Sequence, residues 1–217
     1  MFPNVVWRDS SFRTAVLALG LASAVACAPA PTFRDSSPID ITKDPEQTAI
    51  ENPHPFTVDR GRYTFRLYPL ASYLLRGVTL DRTNYGGDVA SALAPCDLAV
   101  AWGPMVEGEL YRRLSWSQSG RWYWWAHGAD FTRDNAFVAR YTSNTHMIPI
   151  SPFVGRAIRS IRRGDLVEVA GELVRVEGAG SIADFRWVSS VSRSDQEAGS
   201  CEILYVRRAK IWDRVYR

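Results

Sequence analysis

The sequence predicts a mainly β, α+β domain with one or two helices, built as a small β-barrel. Three observations carry that expectation. Short apolar–polar alternations recur from residue 56 onward, as in half-buried strands. Residues 151–163 alone show a clear helical apolar period. A valine-rich run is broken at Gly171, as a bent barrel strand requires. The chain has 217 residues, 46% hydrophobic and 23% charged, which suits a globular protein with one sizeable core.

The amino terminus reads as an address rather than as fold. Arg8, Asp9 and Arg13 precede the uncharged residues 14–26, and Cys27 follows, then Ala28-Pro29-Ala30-Pro31. A basic start, a short apolar stretch and small residues at its end are the marks of a secretory signal over residues 1–26. The stretch is shorter than the roughly 20 residues of a spanning helix. Ala24-Val25-Ala26-Cys27 resembles the lipobox of bacterial lipoproteins, with Ala24 where leucine is most usual. That resemblance implies cleavage before Cys27, lipid attachment there, and a place at the outer membrane facing the periplasm. Plain export to the periplasm or beyond, and an uncleaved anchor, are the alternatives.

Residues 27–55 read as a lipid-anchored, acidic, proline-rich spacer. Residues 28–55 hold Pro29, Pro31, Pro38, Pro45, Pro53 and Pro55, and two basic side chains against five acidic ones. Residues 56–217 read as one β-rich domain. Tyr63–Leu67 and Ser72–Asp81 are two strands, with Gly77 at a bulge. Asp88–Ala94 is a short helix, Leu98–Trp102 an apolar strand ended by Gly103-Pro104, and Val106–Trp116 helical at first. Arg121–Trp125 is a strand because of its aromatics. The helix at Ser151–Arg163 has Ser151 as cap, Pro152 at its first position and Gly164 at its end. Asp165–Val176 is a long strand, Gly178–Gly180 turns the chain, and Ile182–Val191 and Cys201–Lys210 finish the domain.

The pattern Gly164-Asp165-x-Val167-x-Val169-x-Gly171-x-Leu173-Val174 resembles the first bent strand of OB-type barrels. Further pieces resemble an uncharacterised family of bacterial exported proteins: Asp97–Gly103, Arg121–Trp124, Asn144–Pro149, Gly164–Val174, and Ser189-Ser190 with Arg193, Asp195 and Cys201-Glu202. Gln196-Glu197-Ala198-Gly199 departs from the glycine-rich turn expected there. The family has no established activity, so the resemblance implies a domain and not a chemistry.

Several classes are excluded by composition. A net charge of +3 is mild, and export removes nucleic acid as a partner. No Walker loop, GxGxxG, HExxH, GxSxG or EF-hand loop is present. No cofactor is expected, and no metal, since His127 and His146 are only two ligands and a metal site needs more. With Cys27 lipidated, Cys96 and Cys201 form an even pair in an oxidising compartment, and a disulfide between them is expected.

Two functions from different classes follow. The first is a non-enzymatic envelope lipoprotein whose barrel binds an envelope component or assembly partner: a glycan, lipopolysaccharide or a protein. Its binding residues would be Trp122, Trp124 and Trp125, with Arg156, Arg159 and Arg163. Exposed indoles stack on sugar rings, and guanidiniums bind phosphates. On a strand, Trp122 and Trp124 face one way, and Tyr123 and Trp125 the other. Alternatively, the chain is a periplasmic hydrolase in which His146, beside Asn144, works with Asp195 or a serine such as Ser190. Solvated arginines, a core-filling aromatic strand and a structural His146 are the plain readings of the same residues.

Overall fold

The computed structural model describes residues 30–192 and 201–217. Its elements run β1 (Phe33–Arg34), β2 (Glu46–Ala49), β3 (Phe56–Arg60), β4 (Tyr63–Asn84), α1 (Val89–Leu93), β5 (Cys96–Ala101) and α2 (Pro104–Glu107). They continue with β6 (Leu114–Ser119), β7 (Trp122–His127), α3 (Asn135–Arg140), β8 (Thr142–Pro149), α4 (Pro152–Ile158), β9 (Leu166–Gly178), β10 (Arg186–Val188), β11 (Glu202–Ile211) and β12 (Arg214–Tyr216). Among the described residues the fold is mainly β with four short α-helices, the α+β class that the patterning implies.

Strand pairing returns on itself. β4 pairs with β5, β5 with β8, β8 with β11, β11 with β9, and β9 with β4. The β8–β11 pair is parallel and the others are antiparallel. This five-strand circuit does not stand alone as the small closed barrel expected from sequence. β2 and β3 pair along β4, β10 continues β9, and β12 and β1 continue β11, giving one ten-stranded sheet. β6 and β7 form a separate hairpin.

The 22-residue β4 joins the two strands expected at Tyr63–Leu67 and Ser72–Asp81. Proline lacks a ladder donor, and here Pro69 stands where the register shifts against β9, so the bulge absorbs it and the strand continues. In β9, Gly171 is required by close approach: a Cβ there would lie 1.9 Å from Tyr205 O. The partner strand shifts register between Val206 and Arg208 opposite this point, which is the bend foreseen from the valine run. α4 begins as its cap predicts, with the Ser151 hydroxyl accepting from Val154 N–H, but it ends at Ile158 rather than Arg163.

Inside the circuit, Leu75, Leu98, Val100, Met147, Val169, Leu173, Leu204 and Val206 pack with Val154, Ala157 and Ile158 of α4. A second apolar cluster centres on Phe65, Leu67, Val176 and Ile203. A third lies under the hairpin, with Trp116 buried and Trp125 and Tyr123 packed against it.

Residues 30–55, expected as a spacer, run along the sheet. Phe33 and Arg34 pair with β12, Glu46–Ala49 pair with β4, Ile39 is buried, and the Trp102 indole donates to Asp44 Oδ1 at 3.1 Å. Low hydrophobicity did not preclude order here, because the segment adds backbone pairs to existing sheet edges instead of supplying a core. Among the described residues no helix is long and apolar enough to cross a membrane. The signal reading over 1–26, lipidation at Cys27, and Asp195 with its loop lie outside the described residues.

Candidate functional site

A cavity of about 520 Å³ opens where α1, the tip of the β6–β7 hairpin, β8 and the β10 strand converge. Ala90, Arg121, Trp122, His146, Phe185 to Val188 and Cys201 line it. Strand β8 contributes His146 to it. Thr142 through His146 are all buried, each with a hydrogen-bonding side chain.

Arg121 is the keystone. It follows Gly120 at the hairpin turn, and both have positive φ (73° at Arg121, 58° at Gly120). A two-residue hairpin turn of this kind wants such angles, which a long side chain adopts at a cost of roughly 1 kcal/mol. The side chain is held in return. Its Nη1 donates to Asp97 Oδ1 at 2.7 Å and to Ala94 O at 2.9 Å. Its guanidinium lies 4.0 Å from the Tyr85 ring centroid and 5.6 Å from that of Trp187. The Asn144 amide donates to Arg121 O at 2.8 Å, and Gln118 donates to Asn144 Oδ1 at 2.6 Å. Burial, and then the Asp97 charge, push the Tyr85 hydroxyl above its ordinary value.

Asp97 on β5 and His146 on β8 are register partners. His146 Nδ1 lies 2.9 Å from Asp97 Oδ1, close in distance but off-line for a hydrogen bond. Asp97 is fully buried and His146 is 2% exposed. The His146 ring packs on Trp187 with centroids 4.7 Å apart. Asp97 Oδ2, Arg121 Nη2 and Gln118 Oε1 are buried without a hydrogen-bond partner. Orphaned polar atoms on a buried wall are unfavourable in a site with no ligand and useful in one that receives a polar ligand.

The residues singled out from sequence scatter. Trp122 lines the cavity, whereas Trp124 is 56% exposed on the outer face of the hairpin. The expected alternation along this strand holds, with Tyr123 and Trp125 turned inward. Trp125 donates to Asn135 Oδ1 at 3.0 Å and packs on Tyr123 and Trp116, so it is a packing residue. Arg156, Arg159 and Arg163 are exposed, and Arg163 also donates to Trp116 O at 3.0 Å. They do not meet the cavity. His146 lines the cavity and Asn144 lies two residues before it, both on strand β8. The Ser190 hydroxyl donates to Ser192 O at 2.9 Å and Ser189 accepts from Ile203 N–H, so this pair builds the start of β11.

The expected disulfide is not formed: no bond joins Cys96 and Cys201. Cys96 is buried behind β5 with its sulfur toward Asp97 O and Ile158 O, while Cys201 borders the cavity. An even count of thiols says nothing of whether their Cβ atoms face each other, which a disulfide requires. Sequence reasoning did not single out Asp97, Trp187 and Arg186 as site residues. For Asp97 a signal existed, a lone acid in the apolar run Leu98–Trp102 and its flank, since charges enter such runs only when paired. No group of three or more His, Cys, Asp or Glu able to hold a metal occurs among the described residues. Comparison with models of protein families, with curated proteins and with solved structures found no match.

Proposed function

We propose that the chain is an envelope-anchored binding module with an OB-type core, whose cavity takes up a ring-bearing envelope component that carries an anionic group. The order of pairings supports the OB-type reading: a five-strand circuit with one parallel joint, and a helix between β8 and β9. In that architecture ligands settle on the second and third strands, here β5 and β8, under the neighbouring loops. The observation that carries the binding reading is the lining itself. The indoles of Trp122 and Trp187 and the guanidiniums of Arg121 and Arg186 surround one opening, and Arg121 Nη2 and His146 Nδ1 of its lining residues have no hydrogen-bond partner. Indoles stack on sugar rings and guanidiniums take carboxylate or phosphate.

The test is a titration of the purified chain with soluble peptidoglycan fragments and lipopolysaccharide core oligosaccharides, followed by tryptophan fluorescence and calorimetry. Saturable binding that is lost in Trp187→Ala and in Arg186→Ala, with circular dichroism unchanged, supports the reading. Absence of binding by the wild-type chain to both glycan sets removes it.

One observation favours a second reading, hydrolysis. His146 lines the cavity with the Asp97 carboxylate 2.9 Å from its Nδ1, so a modest turn of the ring would give it the hydrogen-bonded orienting acid that a general base uses. Turnover of the same fragments that His146→Gln abolishes, with binding retained, would favour it over simple capture.

A further inference from the structure

The amino-terminal segment is part of the fold from Thr32 onward. Thr32 N–H donates to Val215 O at 2.6 Å, and the Arg217 N–H donates to the Thr32 hydroxyl at 3.3 Å. Asp35 N–H donates to Asp213 O at 2.8 Å. Lys210, 2% exposed, clamps the segment through Ser37 O at 2.8 Å, Ser37 Oγ at 3.0 Å and Asp35 Oδ2 at 2.9 Å. The Ser37 hydroxyl, and then Lys210, hold the Asp35 carboxyl below its ordinary value. Thr32 is five positions after Cys27 and six after the apolar stretch 14–26. Five residues at full extension span at most about 18 Å.

The surface around this junction carries two exposed rings and exposed arginines, with Asp165 and Asp213 beside them. Phe33 is 39% exposed and Trp212 is 51% exposed. Trp212 forms the β11–β12 turn with φ +56°, a left-handed conformation unusual for a bulky residue, and its indole donates to Asp165 Oδ1 at 2.9 Å. The Arg217 guanidinium lies 5.0 Å from the Phe33 ring centroid. Arg34 and Arg214 are exposed register partners, and Arg34 also pairs with Asp213. Rings flanked by guanidiniums suit the headgroup level of a bilayer: ring bodies enter the acyl boundary and the cations remain among phosphates.

We propose that Phe33 and Trp212, with Arg217 over the Phe33 ring, form a seating face that holds the domain directly on an anionic bilayer. This rests on the envelope-anchor reading and not on the cavity. The length of chain before Thr32 decides the occupant. An anchor at Cys27 keeps this face within about 18 Å of the lipid, less than the roughly 30 Å width of a small folded domain. A folded partner does not fit between, and the bilayer does.

The experiment uses the full chain, purified from membranes in detergent and reconstituted into phosphatidylethanolamine–phosphatidylglycerol vesicles, with or without acyl-brominated lipid. Bromine quenches only nearby indoles. The expected result is quenching in the wild type that is mostly lost in Trp212→Phe and retained in Trp124→Phe. Phe33→Trp, which adds an indole to the face, should increase quenching, and it serves if Trp212→Phe misfolds by circular dichroism. Arg217→Glu should weaken the quenching on these vesicles. A vesicle-bound chain whose quenching is unchanged by Trp212→Phe and by Phe33→Trp overturns the seating face and leaves the anchor reading intact. A chain that does not float with vesicles overturns both.

Discussion

Arg121 Nη1 lies 2.7 Å from Asp97 Oδ1, so one ion pair fastens the tip of the β6–β7 hairpin to the buried strand β5. Asp97 is fully buried, and the Arg121 side chain is 18% exposed. The hairpin has few other holds at its tip: Tyr85 OH accepts from Arg121 N–H at 3.3 Å, and Asn144 reaches Arg121 O. The cavity exists because this tip is pinned over β8.

Arg121→Ala should therefore cost about 3–5 kcal/mol, because it leaves Asp97 buried without its cation. Asp97→Asn in the Arg121→Ala background should cost much less than Asp97→Asn alone. Denaturant titrations of the four chains would give the coupling. Additive losses would show that the pair does not act as a unit.

Gly171→Ala should destabilise the domain by about 2–4 kcal/mol, since the new methyl meets Tyr205 O at 1.9 Å and backbone must move. Gly61→Ala makes a useful comparison. Its Cβ meets nothing within 4 Å, and only the strain of φ +60° remains, worth about 1 kcal/mol. Reversal of that order in thermal melts would contradict the close packing at the β9–β11 bend.

The contrast between β9 and β8 explains how much of this fold was legible in the sequence. β9 alternates and carries its bend as a glycine, so both strand and bulge could be read. β8 is buried along its whole length yet reads Thr-Ser-Asn-Thr-His, a polar string with no period. Its burial comes from partners distant in sequence: Gln118 and Arg121 for Asn144, Asp97 and Trp187 for His146. Local pattern carries no trace of such neighbours, so this strand beside the site has no signature in the sequence. For the same reason the tryptophan strand drew attention to Trp122, Trp124 and Trp125 alike, while the cavity took Trp122 and the unremarked Trp187. The sheet edges were hidden too, because β1 and β2 are exposed and make backbone pairs without a hydrophobic signature.

The thiols give a further check. Burial pushes the Cys96 thiol up to about 12, so it should resist alkylation in the native chain and react only when the domain opens. With no bond between Cys96 and Cys201, reductant should leave the melting temperature unchanged. Both residues should label in denaturant without prior reduction. A mass shift in denaturant that requires reductant would restore the disulfide.

Stability should fall in acid through Glu168. Its carboxylate sits between Arg76 of β4, at 2.6 Å, and Arg208 of β11, so it links three strands of the circuit. Burial alone would raise its pKa, but hydrogen bonds from Arg76 and Arg208 outweigh that and hold it below its ordinary value of 4.5. A carboxyl depressed in the folded state stabilises it at every pH above the unfolded value, and that contribution is lost as pH falls through the folded value. The wild-type chain should thus hold its denaturation midpoint from neutral pH down to about 4.5 as far as this group is concerned, then lose stability below it. Glu168→Gln should cost about 2 kcal/mol at neutral pH, the scale of a charged hydrogen-bond pair, and its curve should approach the wild type's in acid. Parallel curves across the acid range would mean that the Arg76–Glu168–Arg208 bridge contributes no pH-dependent stability, and that backbone pairing alone joins β4, β9 and β11.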